Sequence, residues 1–153
     1  MMIIKKAGSL PDAGTLVVLC SSIKALSRYG LKASEIAHVQ QAFEVEERKS
    51  VTFWDAGKHV IVHRKDKKDV VYKTVEAIRK AGAHILTVLH ENRTAVVTVA
   101  DTDEEAEHLL AFAEGMALAG YQFLKYKKNP AKEKYSLKEI KLSGKSVTAD
   151  AVK

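Results

Sequence analysis

The spacing of apolar side chains along the chain predicts helices that alternate with strands. A continuous apolar run at residues 15–20, TLVVLC, predicts a buried strand, and Ser21 or Ser22 can cap a short helix that ends near residue 28. Apolar residues three and four positions apart predict amphipathic helices over residues 32–47 and 69–82.

Short apolar segments predict the remaining strands. Residues 50–65 are typical of a β-hairpin, with a glycine-containing turn between its strands. Gly82 is predicted to end the preceding helix as its C-cap, and residues 84–90 and 94–100 are predicted to form a second pair of strands. A helix then begins at Thr102-Asp-Glu-Glu105, which has the spacing of a capping box.

This order of elements predicts one α/β domain with a three-layer α/β/α sandwich and a mixed β-sheet. Crossover helices give parallel strand pairs, whereas hairpins give antiparallel ones. Residues 134–143 alternate loosely and predict a last edge strand. The domain is therefore expected over residues 1–142, with residues 143–153, which are small and polar, as the start of a linker.

Composition agrees with a folded domain, since 46% of the residues are hydrophobic and 29% are charged. The net charge of +6 comes from the end of the chain: residues 1–120 hold 16 basic and 16 acidic side chains, whereas residues 121–153 hold 9 basic and 3 acidic ones. Lysines at the end of a final helix are usually solvated, so we expect no nucleic-acid partner. A DNA-binding accessory role through this lysine-rich end is kept as an alternative.

Other features of the sequence predict a cytoplasmic protein. The longest apolar runs are far too short to span a bilayer, and the first residues lack the apolar segment of a secretory signal. The chain has one cysteine, Cys20, which ends an apolar run and is expected to be a reduced, buried thiol.

The glycines at positions 115 and 120 have the spacing of a phosphate-binding loop but not its other residues. Tyr121 and Gln122 occupy the places where that loop needs a lysine and a serine or threonine. The pair also lies inside a predicted helix, where each glycine costs about 1 kcal/mol relative to alanine. We therefore interpret Gly115 and Gly120 as positions where this helix approaches a neighbour closely.

The other polar clusters do not predict a metal or catalytic centre. His59 and His63 share one face of a strand, but they have no companions at ligand spacing. His90-Glu91 lacks the second histidine of a zinc-protease motif, since position 94 is a threonine. The acids from Asp101 to Glu107 lack the glycine of a calcium loop, and residues 7–14 are expected to form a plain surface loop. The prediction is that this chain holds no catalytic, cofactor-binding or metal-binding residues.

One segment resembles a known family. Ala113-Glu114-Gly115, Leu118, Tyr121, Phe123 and Tyr126-Lys127 fit without a gap the pattern A-E-G-x-x-L-x-x-Y-x-F-x-x-Y-K. This pattern resembles the end of the non-catalytic N-terminal domain of the leucyl aminopeptidase (cytosol aminopeptidase) family. The chain departs from the family at residues 63–66, where His-Arg-Lys-Asp stands in place of an apolar-glycine turn.

The resemblance implies a macro-domain-like fold and a structural role. Enzymes of this family remove N-terminal residues from peptides with two divalent metal ions, zinc or manganese. The metals are held by a C-terminal domain, in motifs such as N-T-D-A-E-G-R-L. That motif does not occur here, so the chain alone is expected to be inactive and its parent to be the enzyme. The implied partners are its own catalytic domain and, in a homohexamer, further copies. A stand-alone macro-like module that binds a nucleotide or an ADP-ribose-type ligand is the alternative.

Overall fold

The computed structural model describes residues 3–6, 14–21, 23–29, 31–55, 58–65, 71–91, 94–102, 106–125, 137 and 139–143. Its strands are β1 (Ile3–Lys6), β2 (Gly14–Cys20), β3 (Ser50–Asp55), β4 (Lys58–Arg64), β5 (Val96–Asp101) and β6 (Glu139–Ser143). A 3₁₀ helix (Ile23–Tyr29) and the α-helices α1 (Ala33–Glu44), α2 (Val71–Glu91) and α3 (Ala106–Lys125) connect them.

The strands form one mixed sheet of six in the order β1-β6-β5-β2-β4-β3. Every neighbouring pair is parallel except β3 and β4, which form the predicted hairpin. The predicted strand at residues 15–20 is β2, which lies between β4 and β5 and is buried from Leu16 to Cys20. A strand covered on both faces needs a continuous apolar run, and this is the pattern that the sequence has.

Helices cover both faces of the sheet, which confirms the predicted three layers. On one face α2 and α3 pack Leu86 and Phe112 against Val17, Ile61 and the other apolar residues of that face. On the opposite face the 3₁₀ helix and α1 form a second apolar cluster, in which Leu26 and Phe43 pack with Val18 and Val62. The alternation of side chains along each strand supplies both clusters.

The helix predicted over residues 69–82 is present, but its predicted end and the strand predicted after it were wrong. Instead of a helix that ends at Gly82 and a strand at residues 84–90, the structure has the single helix α2. Ile78, Ile85 and Leu89 are all buried against the sheet side of this helix, so the helical spacing continues beyond the glycine. Without the second hairpin, β5 runs parallel to its neighbours β2 and β6.

Two other differences concern the ends of the sheet and the first helices. The predicted edge strand is β6, but it lies inside the sheet because β1, which the pattern did not predict, pairs with its outer side. The helix expected near Ser21 is a 3₁₀ helix, and α1 has Lys32 as its N-cap instead of Ser34. The Lys32 amide donates a hydrogen bond to Glu35 Oε1, 2.8 Å away.

Glycines bring α2 and α3 together, as expected for Gly115. A Cβ at Gly115 would lie 2.8 Å from the carbonyl carbon of Arg79 and nearer still to its oxygen. A Cβ at Gly82 would similarly collide with the backbone of Phe112. Gly120 lies buried in the same helix α3. Gly82 is thus a packing residue inside α2.

Candidate functional site

Three parallel strands, β2, β4 and β5, end side by side at one edge of the sheet. The chain leaves β4 at Lys65, whose amide donates a 2.9 Å hydrogen bond to the carbonyl of Cys20, and leaves β5 at Thr102, whose amide donates to Leu19. Open α/β sheets bind their ligands at the carboxyl ends of parallel strands. This edge is therefore the candidate functional site.

A buried polar cluster of Lys65, Asp101 and His108 occupies the edge. Lys65 Nζ lies 2.7 Å from Asp101 Oδ1 and 3.1 Å from His108 Nδ1, and His108 Nδ1 lies 3.7 Å from Asp101 Oδ2. The side chains of Lys65 and Asp101 are fully buried. Buried charges persist only where they are paired, so this cluster ties the end of β4 to β5 and to the first turn of α3.

The 3₁₀ helix closes the cluster from the other face of the sheet. Tyr29 donates its hydroxyl hydrogen to the carbonyl oxygen of Asp101 at 2.8 Å, and Arg28 Nη2 donates to the carbonyl oxygen of Thr102 at 3.0 Å. The amide of Ser21 donates to Thr102 Oγ1 at 3.0 Å. These bonds hold the ends of β2 and β5 in fixed positions. The arrangement is a rigid support, with the Lys65 amine turned inward, away from solvent.

A broad cleft of about 2100 Å³ lies beside this cluster. It is larger than a typical ligand pocket of about 300–1,000 Å³, so it is an open groove. Its charged lining comprises seven basic and four acidic residues: Arg48, Lys49, Arg64, Lys65, Lys73, Arg79 and Lys80 against Glu44, Glu47, Glu76 and Glu107. Lys65 is paired with Asp101, but the other lining cations still outnumber the acids, six to four, which favours an anionic occupant over a cationic one.

Arg79 on the wall of this cleft is already engaged. Its guanidinium contacts Glu114 Oε2 of α3 at 3.1 Å and Glu76 Oε2 of its own helix at 2.9 Å. These hydrogen bonds, first to Glu114 and then to Glu76, raise the pKa of Arg79 above its usual value. Arg79 therefore links α2 to α3 across their outer surface.

The structure places the predicted histidines in different surroundings. His59 and His63 do share one face of β4, but His59 is buried and stacks on the Trp54 ring, with centroids 4.0 Å apart, whereas His63 lines the cleft. Burial lowers the pKa of His59. His90 lies near the end of α2 instead of on a strand.

Across the residues described above, no group of three or more histidine, cysteine or acidic side chains could hold a metal ion. Within the same residues, no helix is long and apolar enough to cross a membrane.

Several residues of the family pattern lie at or beyond the limit of the described chain. Leu118 is 53% exposed on α3. Tyr121 and Phe123 belong to α3, but their side chains lie outside the description, as do all of Tyr126 and Lys127. The same holds for the predicted loop at residues 7–13, for the capping residues 103–105 and, in the lysine-rich end, for residues 126–136, 138 and 144–153.

Sequence reasoning missed Lys65, His108 and Tyr29. The available signal was the position of charged residues directly after buried strands: Lys65 follows β4, and Asp101 ends β5. A charge that cannot reach solvent must find a partner of opposite sign, and parallel topology brings these two strand ends together. The pairing could not be predicted because the sequence pattern had placed β5 in a hairpin.

The fold defines a class of protein: a three-layer α/β domain of the macro-domain type. The macrodomain of Mycobacterium tuberculosis DarG matches with a TM-score of 0.58 and 14% identity, over 95% of this chain and 100% of that one. A mutant of the Oceanobacillus iheyensis macrodomain matches with a TM-score of 0.60 and 8% identity, over 93% of this chain and 84% of that one. At such identities the likeness concerns the fold alone.

Residues 65–130 match the family model of the cytosol aminopeptidase family, N-terminal domain, in agreement with the resemblance predicted above. A mutant of tomato leucine aminopeptidase has the same fold, with a TM-score of 0.64 and 13% identity. The alignment covers 98% of this chain but 34% of the tomato protein, so the chain spans about a third of that enzyme's length. Among curated proteins, no sequence matches this chain.

Proposed function

We propose that this chain is the non-catalytic N-terminal domain of a leucyl-aminopeptidase-like metallo-exopeptidase. The observation that carries the proposal is the family match over residues 65–130. These residues include the strand β5 and the helices α2 and α3, which cover one face of the sheet. The parent protein would remove N-terminal residues from peptides in the cytoplasm.

The chemistry of the parent would reside in its catalytic domain. There, two divalent metal ions, zinc or manganese, would activate a bridging hydroxide and polarise the scissile carbonyl. The residues of this chain would act as a scaffold. The buried Lys65–Asp101 pair and the close α2–α3 packing at Gly82 and Gly115 are features that support a rigid body. Such a body suits assembly and control of access to an active site.

The first test is the reading frame of the parent gene beyond Lys153. The proposal expects a catalytic domain in the same frame, with acidic metal ligands and a catalytic lysine. A stop codon directly after Lys153 would count decisively against it. Expression of the full-length protein should then give peptide hydrolysis that depends on zinc or manganese and that is absent from the 153-residue chain.

The basic cleft favours a second candidate, a macro-like module that binds a nucleotide or an ADP-ribose-type ligand. The cleft lies at the carboxyl ends of β2 and β4, and five of its cations, Arg48, Lys49, Arg64, Lys73 and Lys80, are exposed. Calorimetry with ADP-ribose tests it, with Arg64→Glu as the disrupting variant and Lys32→Glu, on an exposed residue that is not among those lining the cleft, as the control. Heat that is lost only in Arg64→Glu would support binding, and no heat in any variant would exclude it.

A further inference from the structure

β3 is the outermost strand at one edge of the described sheet. All six of its residues pair with β4 in one unbroken antiparallel register, from Ser50 opposite His63 to Asp55 opposite Lys58, and no described strand lies beyond it. Proteins usually protect such edges with a proline, a lysine or a bulge. The sequence SVTFWD contains no proline or lysine, and its register contains no bulge.

An aromatic anchor stands on this edge. Trp54 is 67% exposed, and its ring lies parallel to the buried ring of His59, with an interplanar angle of 1°. The stack fixes the indole in one orientation before any partner arrives. Rigid, exposed tryptophans are common energetic anchors of protein interfaces because they bury a large area and lose little entropy. Thr52, on the same face of β3, is also exposed.

We propose that β3 pairs antiparallel with β3 of a second copy of this chain, around a two-fold axis at Thr52. The two β3 strands would then be neighbours in one continuous sheet. Residues that lie directly opposite each other on these strands place their side chains on the same face of that sheet. Thr52 then meets its own copy, Val51 meets Phe53, and Ser50 meets Trp54. This β3–β3 contact would supply a surface for the assembly role proposed above. The contact itself does not require the catalytic domain.

Charge complementarity favours a second copy as the occupant. In this register Lys49, which is exposed, takes the position opposite Asp55 of the other copy, and the two-fold axis makes this pair twice. A register centred on Phe53 would instead place Asp55 opposite Val51. Opposite charges across neighbouring strands stabilise a pair by about 0.2–1 kcal/mol, so the ends of the strand select the Thr52 register.

The contact is small, which sets the conditions of the test. Seven residues extend over about 24 Å at roughly 3.4 Å per residue. A strip of this length buries far less than the roughly 800 Å² per partner of a stable interface, so the isolated chains should associate only weakly. Association must therefore be measured up to millimolar concentrations.

The single tryptophan of the chain is a direct probe, because it lies on the proposed edge. Sedimentation equilibrium of the 153-residue chain up to about 2 mM should show a rise toward twice the monomer mass, and the emission of Trp54 should shift to the blue in parallel. Thr52→Lys places two ammonium groups on the axis and should weaken association at least tenfold. The control Leu118→Lys, at an exposed position on α3, should leave it unchanged.

A charge exchange tests the register. Lys49→Asp should weaken association because it faces Asp55 of the other copy, and the double variant Lys49→Asp, Asp55→Lys should restore it. A monomer at every concentration would overturn the proposal, as would a dimer that survives Thr52→Lys but is lost in Leu118→Lys. Failure of the double variant to restore association would overturn the Thr52 register. None of these results bears on the reading frame beyond Lys153, which tests the domain assignment separately.

Discussion

Gly115→Ala adds one methyl group at the contact of α2 with α3, and we expect it to destabilise the domain. In an ordinary helix this change stabilises by about 1 kcal/mol, because glycine has the greater backbone entropy in the unfolded chain. Here the new Cβ would lie 2.8 Å from the Arg79 carbonyl carbon and closer to its oxygen. Both obstacles are backbone atoms, so the clash is relieved only if the helices move apart.

The magnitude follows from these opposing terms. Overpacking of a core usually costs about 1–3 kcal/mol, and a backbone obstacle places this site at the upper end. Subtracting the helix-propensity gain of about 1 kcal/mol leaves a net loss near 2 kcal/mol. For a chain of this size the melting temperature should fall by about 4–8 °C.

Thermal unfolding followed by circular dichroism measures this loss. The matched control is Ala37→Gly, the reverse exchange at an exposed position of α1, which should cost about 1 kcal/mol through helix propensity alone. Two alanine–glycine exchanges in opposite directions should thus both destabilise. An unchanged or raised melting temperature for Gly115→Ala would refute the close α2–α3 approach.

Three further predictions follow from the same packing and charges. Gly82→Ala should destabilise by a similar 2 kcal/mol or so, since its Cβ would meet the backbone of Phe112, and a stabilised variant would contradict the continuous helix α2. Lys65→Met leaves Asp101 as a buried carboxylate without its cation and should lower the free energy of unfolding, measured in urea, by about 3 kcal/mol. The double variant with Asp101→Leu should recover most of this loss. A loss below about 1 kcal/mol in the single variant would argue against the buried pair. Burial lowers the pKa of His59 below its usual value of 6.5, so at this residue the unfolded chain binds a proton more readily than the folded chain does. The folded state is therefore unaffected by this group above pH 6.5 and loses stability as the pH falls below that value. His59→Phe should therefore reduce the loss of stability between pH 7.5 and 5, whereas His84→Gln, at an exposed position, should not; equal pH dependence of all three proteins would contradict the burial of His59.

The sequence pattern predicted the sheet class, the three layers and most strands because burial imposes a clear signal. β2 is apolar throughout, and the β3–β4 hairpin alternates around a turn. The pattern failed at residues 84–90, where the short, mostly apolar segment HILTVLH predicts a strand yet lies within α2. Short apolar segments fit either period, and the decisive fact, the contact of Gly82 with α3, is not a local property.

The candidate site was much less predictable than the fold. Lys65 and Asp101 are 36 positions apart in sequence and meet only because β4 and β5 flank β2 in a parallel arrangement. Similarly, β1 is a short strand whose role depends on β6, at the other end of the chain. Local periodicity carries no information on such pairings.

The most direct test of the scaffold interpretation is peptide hydrolysis by the purified 153-residue chain. The assay uses a leucyl anilide with zinc or manganese, and a two-metal leucyl aminopeptidase serves as the positive control. The account predicts a rate equal to that of buffer with either metal. Hydrolysis that follows this chain through successive purification steps would contradict it.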